Sequence, residues 1–240
     1  MIVIKLGGSV ITEKERAETL DGAALDRAAA ALADASQDLV VVHGGGSFGH
    51  PHAAEWGVAV DEGTRDAGGA LAVHGAMTTL NRFVLDRLHE RGVPALPVHP
   101  LSAAARDADA ALDLPLSQVE RMLSESFVPV LHGDVVATAG EGVTVLSGDE
   151  IVARVASDLD ADRVGLCSTV PGVLDADDRV VERVSSLDDA ALGESAATDV
   201  TGGMAGKVST LLDLDAPAHV FDLDGLPAFL AGGAPGTLVD

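Results

Sequence analysis

The residues of this 240-residue chain best suited to chemistry are three lysines, a histidine and an aspartate, all but Lys14 close to glycine. Lys5 sits near the end of an apolar run, Ile2-Val-Ile-Lys-Leu6, and Gly7-Gly8-Ser9 follows. A second apolar run, Leu39 to Val42, opens into His43-Gly44-Gly45-Gly46-Ser47-Phe48-Gly49-His50. Further on stand Ser147-Gly148-Asp149-Glu150 and Thr201-Gly202-Gly203-Met204-Ala205-Gly206-Lys207. Strands that end in glycine expose backbone N–H groups, which suit phosphate oxygens. Ammonium groups neutralise a transferring phosphoryl group, and a carboxylate at Asp149 could orient two lysines toward it. Lys14, in Thr-Glu-Lys-Glu-Arg, is the third lysine.

Other readings compete at each place. Gly44, Gly46 and Gly49 follow a strand at the spacing of a dinucleotide fingerprint, with acids downstream at Asp61 and Glu62. A tight turn or another phosphate cradle would use the same glycines. Lys5 favours the cradle: a lysine beside a second glycine turn puts two such turns at the C-terminal edge of one sheet, where open α/β folds bind ligands. A Walker-type Gly-x-x-x-x-Gly-Lys-[Ser/Thr] run is absent. Lys14 also fits a solvated charge run, Lys207 a surface lysine, and Asp149 is one of 38 acids. His50 ends the glycine loop where a helix is expected to begin. His43 reads as packing on the strand side, and His52, His74, His89, His99, His132 and His219 show no zinc-site spacing.

Elements that could position these groups alternate along the chain. Strands are expected at 2–6, 39–43, 94–98, 127–131, 162–167 and 218–222. Helices are expected at 20–35, 68–91, 116–125, 147–157, 201–214 and 226–230, and a hairpin at 135–138 and 143–146. The helix from Gly68 carries Leu71, Val73, Met77, Leu80, Phe83, Val84 and Leu88 on its apolar side. This alternation predicts an α/β fold with a mostly parallel central sheet covered on both faces. One domain over 1–240 is expected, with its softest boundary near 160–175.

Composition narrows the function classes. The net charge of −23 argues against nucleic acid and anionic membranes as partners. No apolar run reaches membrane-spanning length and no signal peptide is read at the start, so a cytoplasmic location is expected. Cys167 stands alone and reads as a small core residue in a reducing compartment. Only Lys5, Lys14 and Lys207 are lysine among fifteen basic residues. An acidic, lysine-poor surface suits a high-salt cytoplasm and points to a halophile; an acidic protein of a GC-rich genome is the alternative.

Together, the four glycine motifs resemble the amino-acid kinase superfamily, in the right order from residue 2 to about 214. Within it, Gly-Gly-Gly-Ser-Phe-Gly-His is similar to the isopentenyl phosphate kinases, with the fosfomycin kinase branch sharing much of the loop. The resemblance implies an open αβα sandwich, a homodimer, and transfer of the ATP γ-phosphoryl group, with Mg²⁺, to isopentenyl phosphate. It implies that residues 1–160 form an acceptor-binding lobe and 161–240 a nucleotide-binding lobe. On the ATP side it assigns Lys5, Gly7, Gly8, Ser9, Gly46, Thr169, Gly203, Gly206 and Lys207, with Asp149 holding the lysines. Lys14 would bridge donor and acceptor phosphates. Gly45, Ser47, Gly49, His50 and Gly148 would take the acceptor phosphate. Val73, Met77, Leu80 and Phe83 would wall the isoprenoid tail. No protein ligand set for a metal is implied. Thr169 and Pro171 stand where relatives carry acids, and Leu174 where they carry an aromatic residue. A kinase of another small phosphate or phosphonate, such as fosfomycin, and a non-catalytic nucleotide sensor or storage protein are the rival functions.

Overall fold

The computed structural model describes residues 1–187 and 203–240. Thr201 and Gly202, which open the last glycine motif, lie outside them. Strands β1 (Ile2–Leu6), β2 (Leu39–His43), β3 (Ala95–Pro97), β6 (Val128–His132), β9 (Arg163–Ser168), β10 (Arg183–Val184), β11 (Ala218–Asp222) and β12 (Thr237–Val239) form one sheet in the order β10-β12-β11-β9-β1-β2-β6-β3. Every pairing is parallel except β11 with β12. The sheet runs unbroken past residue 160, because β9 pairs with β1 on one side and β11 on the other.

Buried on both faces, β1 and β2 are apolar at nearly every position. Their period of two sorts side chains between two cores. Ile2, Ile4, Leu6, Leu39 and Val41 pack with α2 (Gly22–Ala33), α4 (Ala67–Glu90) and α8 (Leu226–Leu230). Val3, Val40 and Val42 pack on the other face with α5 (Ser117–Ser124), α6 (Gly148–Asp158) and α7 (Gly203–Leu212). Lys5 therefore shares the α6 face with Val3, and His43 shares the α4 face with Val41.

A second sheet, β5-β4-β7-β8, stands at the end of the first. It contains β4 (Ala105–Arg106), β5 (Leu112–Asp113), β7 (Asp134–Thr138) and β8 (Gly142–Leu146). The expected hairpin is its β7–β8 pair, turned through Gly140 and Gly142, both at positive φ.

One expectation is corrected here. The glycine run is not a loop that reaches His50: α3 (Gly46–Glu55) begins at Gly46, and a short turn, α1 (Gly8–Ile11), follows Gly7. Neither segment has strong helix propensity; close backbone packing decides their conformation. The apolar side of α4 is also narrower than expected, with Leu71 exposed.

Candidate active site

Gly7 and Gly44 continue strands β1 and β2, so their turns lie side by side at the C-terminal edge of the sheet. Gly7 N–H donates to Cys167 O at 2.8 Å, and Gly44 N–H to Leu6 O at 3.0 Å. A Cβ on Gly8 would fall inside contact distance of Gly46 N, and one on Gly44 would stand 2.8 Å from Gly8 N. Glycine is thus required because the two backbones touch. Gly46 also has φ +49°, where a side chain would be strained. Thr12 joins the turns, donating to Gly8 O at 2.8 Å while its hydroxyl accepts Ser47 N–H at 3.0 Å.

Across these turns lies a cavity of about 770 Å³. Lys5 reaches it from the sheet and donates to Asp149 Oδ1 at 2.6 Å, with both side chains nearly closed to solvent. Asp149 stands in the first turn of α6, where Ser147 and Glu150 form a reciprocal capping box, a device worth about 1 kcal/mol. Glu150 is held in turn by Arg106 at 2.6 Å. A Cβ on Gly148 would lie 3.1 Å from Lys5 Cε, so that glycine clears the lysine's path.

The cavity gathers most of the expected site. Lys14, Lys207, Gly7, Gly8, Ser9, Gly45, Gly46, Ser47, Gly49, His50, Gly148, Val73, Met77 and Thr169 all line it. Gly203 begins α7, and Gly206 opens on the shallow groove between α6 and α7. Two residues are corrected: Leu80 and Phe83 do not wall the cavity. Leu80 is fully buried in the core beneath α4, and Phe83 lies partly exposed against the edge of Phe48. The apolar wall instead combines Val73 and Met77 with Ala59, Val60, Val145 and Leu146. Met77 lies over the glycines: a Cβ on Gly49 would meet its sulfur at 2.7 Å.

Lys14 sits on an exposed stretch that is stitched to α3 chiefly through Ser47. Ser47 O accepts Glu18 N–H at 2.8 Å, its hydroxyl donates to Thr19 O at 3.2 Å, and that hydroxyl accepts Thr19 N–H at 3.3 Å. The Ser47 carbonyl is available because Pro51, four residues on within α3, has no N–H to give it. His52 adds a contact to Glu18 at 2.6 Å.

Sequence reading missed the floor of the cavity. Gly133 and Asp134 line it, and behind them His43, His132, His99 and His74 form a chain of ring contacts. Asp134 is buried, yet each of its oxygens accepts more than one donor. His74 Nδ1 lies 3.0 Å from both, Val135 N–H reaches Oδ1 at 2.8 Å, and Leu101 N–H reaches Oδ2 at 3.2 Å. A carboxylate so saturated is a poor proton acceptor for a substrate. Its charge raises the pKa of His74 through that hydrogen bond. Burial drives the other way at His43, lowered to about 3, and at His132, lowered to about 4. Among the described residues no group of three or more His, Cys, Asp or Glu is placed to hold a metal ion.

Comparison with known proteins places this geometry. Residues 1–216 match the model of the amino acid kinase family. The chain is 60% identical to the isopentenyl phosphate kinase of Haloferax volcanii over its full length and 98% of that protein. It is 36% identical to the isopentenyl phosphate kinase of Methanothermobacter thermautotrophicus, over 88% of this chain and 86% of that one. A solved isopentenyl phosphate kinase structure superposes with a TM-score of 0.88 at 30% identity, covering both chains completely.

Proposed function

The chain belongs to the amino acid kinase family and, within it, to the isopentenyl phosphate kinases, and on that premise we propose that it transfers the γ-phosphoryl group of ATP to isopentenyl phosphate. The observation that carries the acceptor is the cavity itself. The glycine turns and His50 give the cavity polar lining, and Val73, Met77, Val145 and Leu146 give it apolar lining. That pairing suits a phosphate with a short alkyl tail.

The chemistry needs positioning more than proton transfer. A phosphate monoester has its second pKa near 6, so its nucleophilic oxygen is already ionised at neutral pH. That oxygen forms a bond to the γ-phosphorus as the bond to the β–γ bridging oxygen breaks, and ADP leaves. The obstacle is repulsion: two unit charges about 4 Å apart cost roughly 4 kcal/mol at an effective dielectric near 20. Lys5, oriented by Asp149, and Lys207 serve the ATP phosphates. Lys14 bridges donor and acceptor, and His50 with the Gly45 and Gly148 amides holds the acceptor phosphate. Mg²⁺ would ride on the nucleotide: Lys5 occupies one Asp149 oxygen, so phosphate oxygens and water are its natural ligands. Bound there, it would offset phosphate charge.

The finer assignments follow the same reading. Residues after about 160 supply the nucleotide side, with Ser168, Thr169 and Gly172 on its wall. We extend the family's homodimer to this chain, to be checked by light scattering. A cytoplasmic location accords with the lack, among the described residues, of any helix long and apolar enough to cross a membrane. The net charge of −23 with three lysines suits a halophile, whose enzyme should need molar KCl to stay folded.

Purified protein with Mg-ATP in molar KCl should release ADP in proportion to isopentenyl phosphate consumed. A coupled ADP assay over a panel including fosfomycin and isopentenol tests this. Turnover with no preference for isopentenyl phosphate over fosfomycin would overturn the assignment.

A further inference from the structure

We propose that His43 is a positioning residue for the acceptor cradle: its ring pins the Gly44 carbonyl and so orients the Gly45 N–H for the acceptor phosphate. The proposal rests on the reading of Gly45 as part of the acceptor site. His43 is fully buried at the end of β2, on the α4 face of the sheet. Its Nδ1 lies 3.2 Å from Gly44 O, and its Nε2 lies 3.2 Å from the Oδ1 position of the Asn81 side-chain amide on α4.

The tautomer follows from the partners. A carbonyl oxygen only accepts, so the proton must be on Nδ1. A neutral ring then has a bare Nε2, which accepts. Asn81 must therefore turn its amide by 180° from the placement with Oδ1 toward the ring, so that Nδ2 donates to Nε2; amide O and N are assigned from such networks. This orientation also supplies a partner for Asn81 Nδ2, a buried donor that otherwise has none.

The consequence lies one peptide further on. The Gly44–Gly45 peptide is planar and trans, so the Gly45 N–H points opposite to the Gly44 carbonyl. With that carbonyl held against the buried ring, the N–H faces away from the core, and Gly45 lines the cavity. Among the described residues no acceptor takes the Gly45 N–H. Glycine at 44 and 45 leaves these torsions soft, so without the ring the peptide plane would be free to rock.

The neighbouring strand repeats the device. His132 pairs with His43 in the β2–β6 register, and their rings stack with centroids 5.5 Å apart. His132 Nδ1 lies 2.8 Å from Gly133 O, which only accepts, so by the same reasoning the proton is on Nδ1 and Nε2 accepts from His99 Nδ1 at 2.9 Å. Gly133 in turn lies against the Gly148 amide: a Cβ there would be 3.4 Å from Gly148 N. The first histidine–glycine step orients the Gly45 amide through its peptide, and the second lies beside the Gly148 amide by contact alone.

Two measurements decide the proposal. In the wild-type protein, long-range ¹H–¹⁵N correlation of the histidine rings should show His43 and His132 protonated at Nδ1; an Nε2–H tautomer at His43 overturns it. In kinetics, Asn81→Leu removes the ring's outer partner but keeps the Gly44 bond, and its KM for isopentenyl phosphate should stay within about twofold of wild type. Adding His43→Phe keeps the ring's bulk and removes the bond. The double variant should raise that KM about tenfold over Asn81→Leu, the loss expected for one hydrogen bond to an anion. Its KM for ATP and its melting temperature should match those of Asn81→Leu. Equal acceptor KM in the two variants, or a parallel rise for ATP, overturns the proposal. If the double variant does not fold, the tautomer measurement decides alone. Wild-type protein inactive on isopentenyl phosphate would sink the proposed function, whereas the ring tautomer reports on the peptide plane independently.

Discussion

Lys5 Nζ stands 2.6 Å from Asp149 Oδ1, with only 7% and 10% of the two side chains exposed. A pair this dry is held tightly, and neither partner is easily lost alone. Asp149→Asn keeps the shape and removes the charge. It should lower kcat about a hundredfold, equivalent to about 2.7 kcal/mol of transition-state stabilisation. Asp149→Ala should in addition destabilise the fold by about 3–5 kcal/mol, because it breaks a buried ion pair by removing one partner. Steady-state kinetics and chemical denaturation check both, and an Asn variant with near-normal kcat would remove the role given to the pair.

His50 lines the cavity from within α3, and its assigned contact is to the acceptor alone. His50→Ala should raise the KM for isopentenyl phosphate about tenfold, the worth of one charge-assisted hydrogen bond. The KM for ATP should stay put. Equal loss of affinity for both substrates would return His50 to a structural part.

Pro51 offers a test of the stitching between the Lys14 segment and α3. Pro51→Ala restores an N–H that competes with Glu18 for the Ser47 carbonyl. We expect kcat to fall about tenfold, with little change in ATP KM, because displacement of a charge-bridging group costs transition-state stabilisation. Lys14→Ala should remove more activity, with the melting temperature unchanged, since Lys14 is exposed. A Pro51→Ala variant with wild-type kcat would show that the segment needs no such anchor.

Acid should weaken the fold through the buried histidines. His43 and His132 are held neutral down to about 3 and about 4. In the unfolded chain they titrate near 6.5, so below that pH the unfolded state binds more protons. Stability then falls as pH drops from about 6.5 toward 4, by up to about 1.4 kcal/mol per pH unit for each histidine. His74 has the opposite sign. Raised by Asp134, its contribution is complete below 6.5 and is lost as pH climbs through its folded value. Melting curves across pH 4–8 should show the acid loss dominating, and the His43→Phe/Asn81→Leu variant should have the shallower acid limb.

Much of this arrangement could be read from the chain, and the failures have physical causes. Lys5 and Asp149 were legible because a lysine in an apolar strand and an acid at a capped helix start are both unusual. Their contact follows from the period of two that puts Lys5 beneath α6. Leu80 and Phe83 failed because helical spacing identifies an apolar stripe but not what faces each part of it. Here the core takes Leu80, and only Val73 and Met77 reach the cavity. The helix at Gly46 was hidden by glycine and proline, whose low propensity is overridden by the contact between the two glycine turns. Asp134 and the histidines behind it come from strand ends and a helix far apart in sequence, and no local pattern marks such a meeting.

The bond from Glu18 N–H to the carbonyl that Pro51 leaves vacant also bears on timing. The hydrogen bonds from Glu18 and Thr19 to Ser47 tie the Lys14 segment to the helix that carries His50, so in the proposed roles the spacing between the bridging charge and the acceptor's grip is built in by folding. Substrate arrival need not re-create it in each turnover. Drift in the apolar wall can change which tail is admitted while leaving the reacting phosphates in the same alignment.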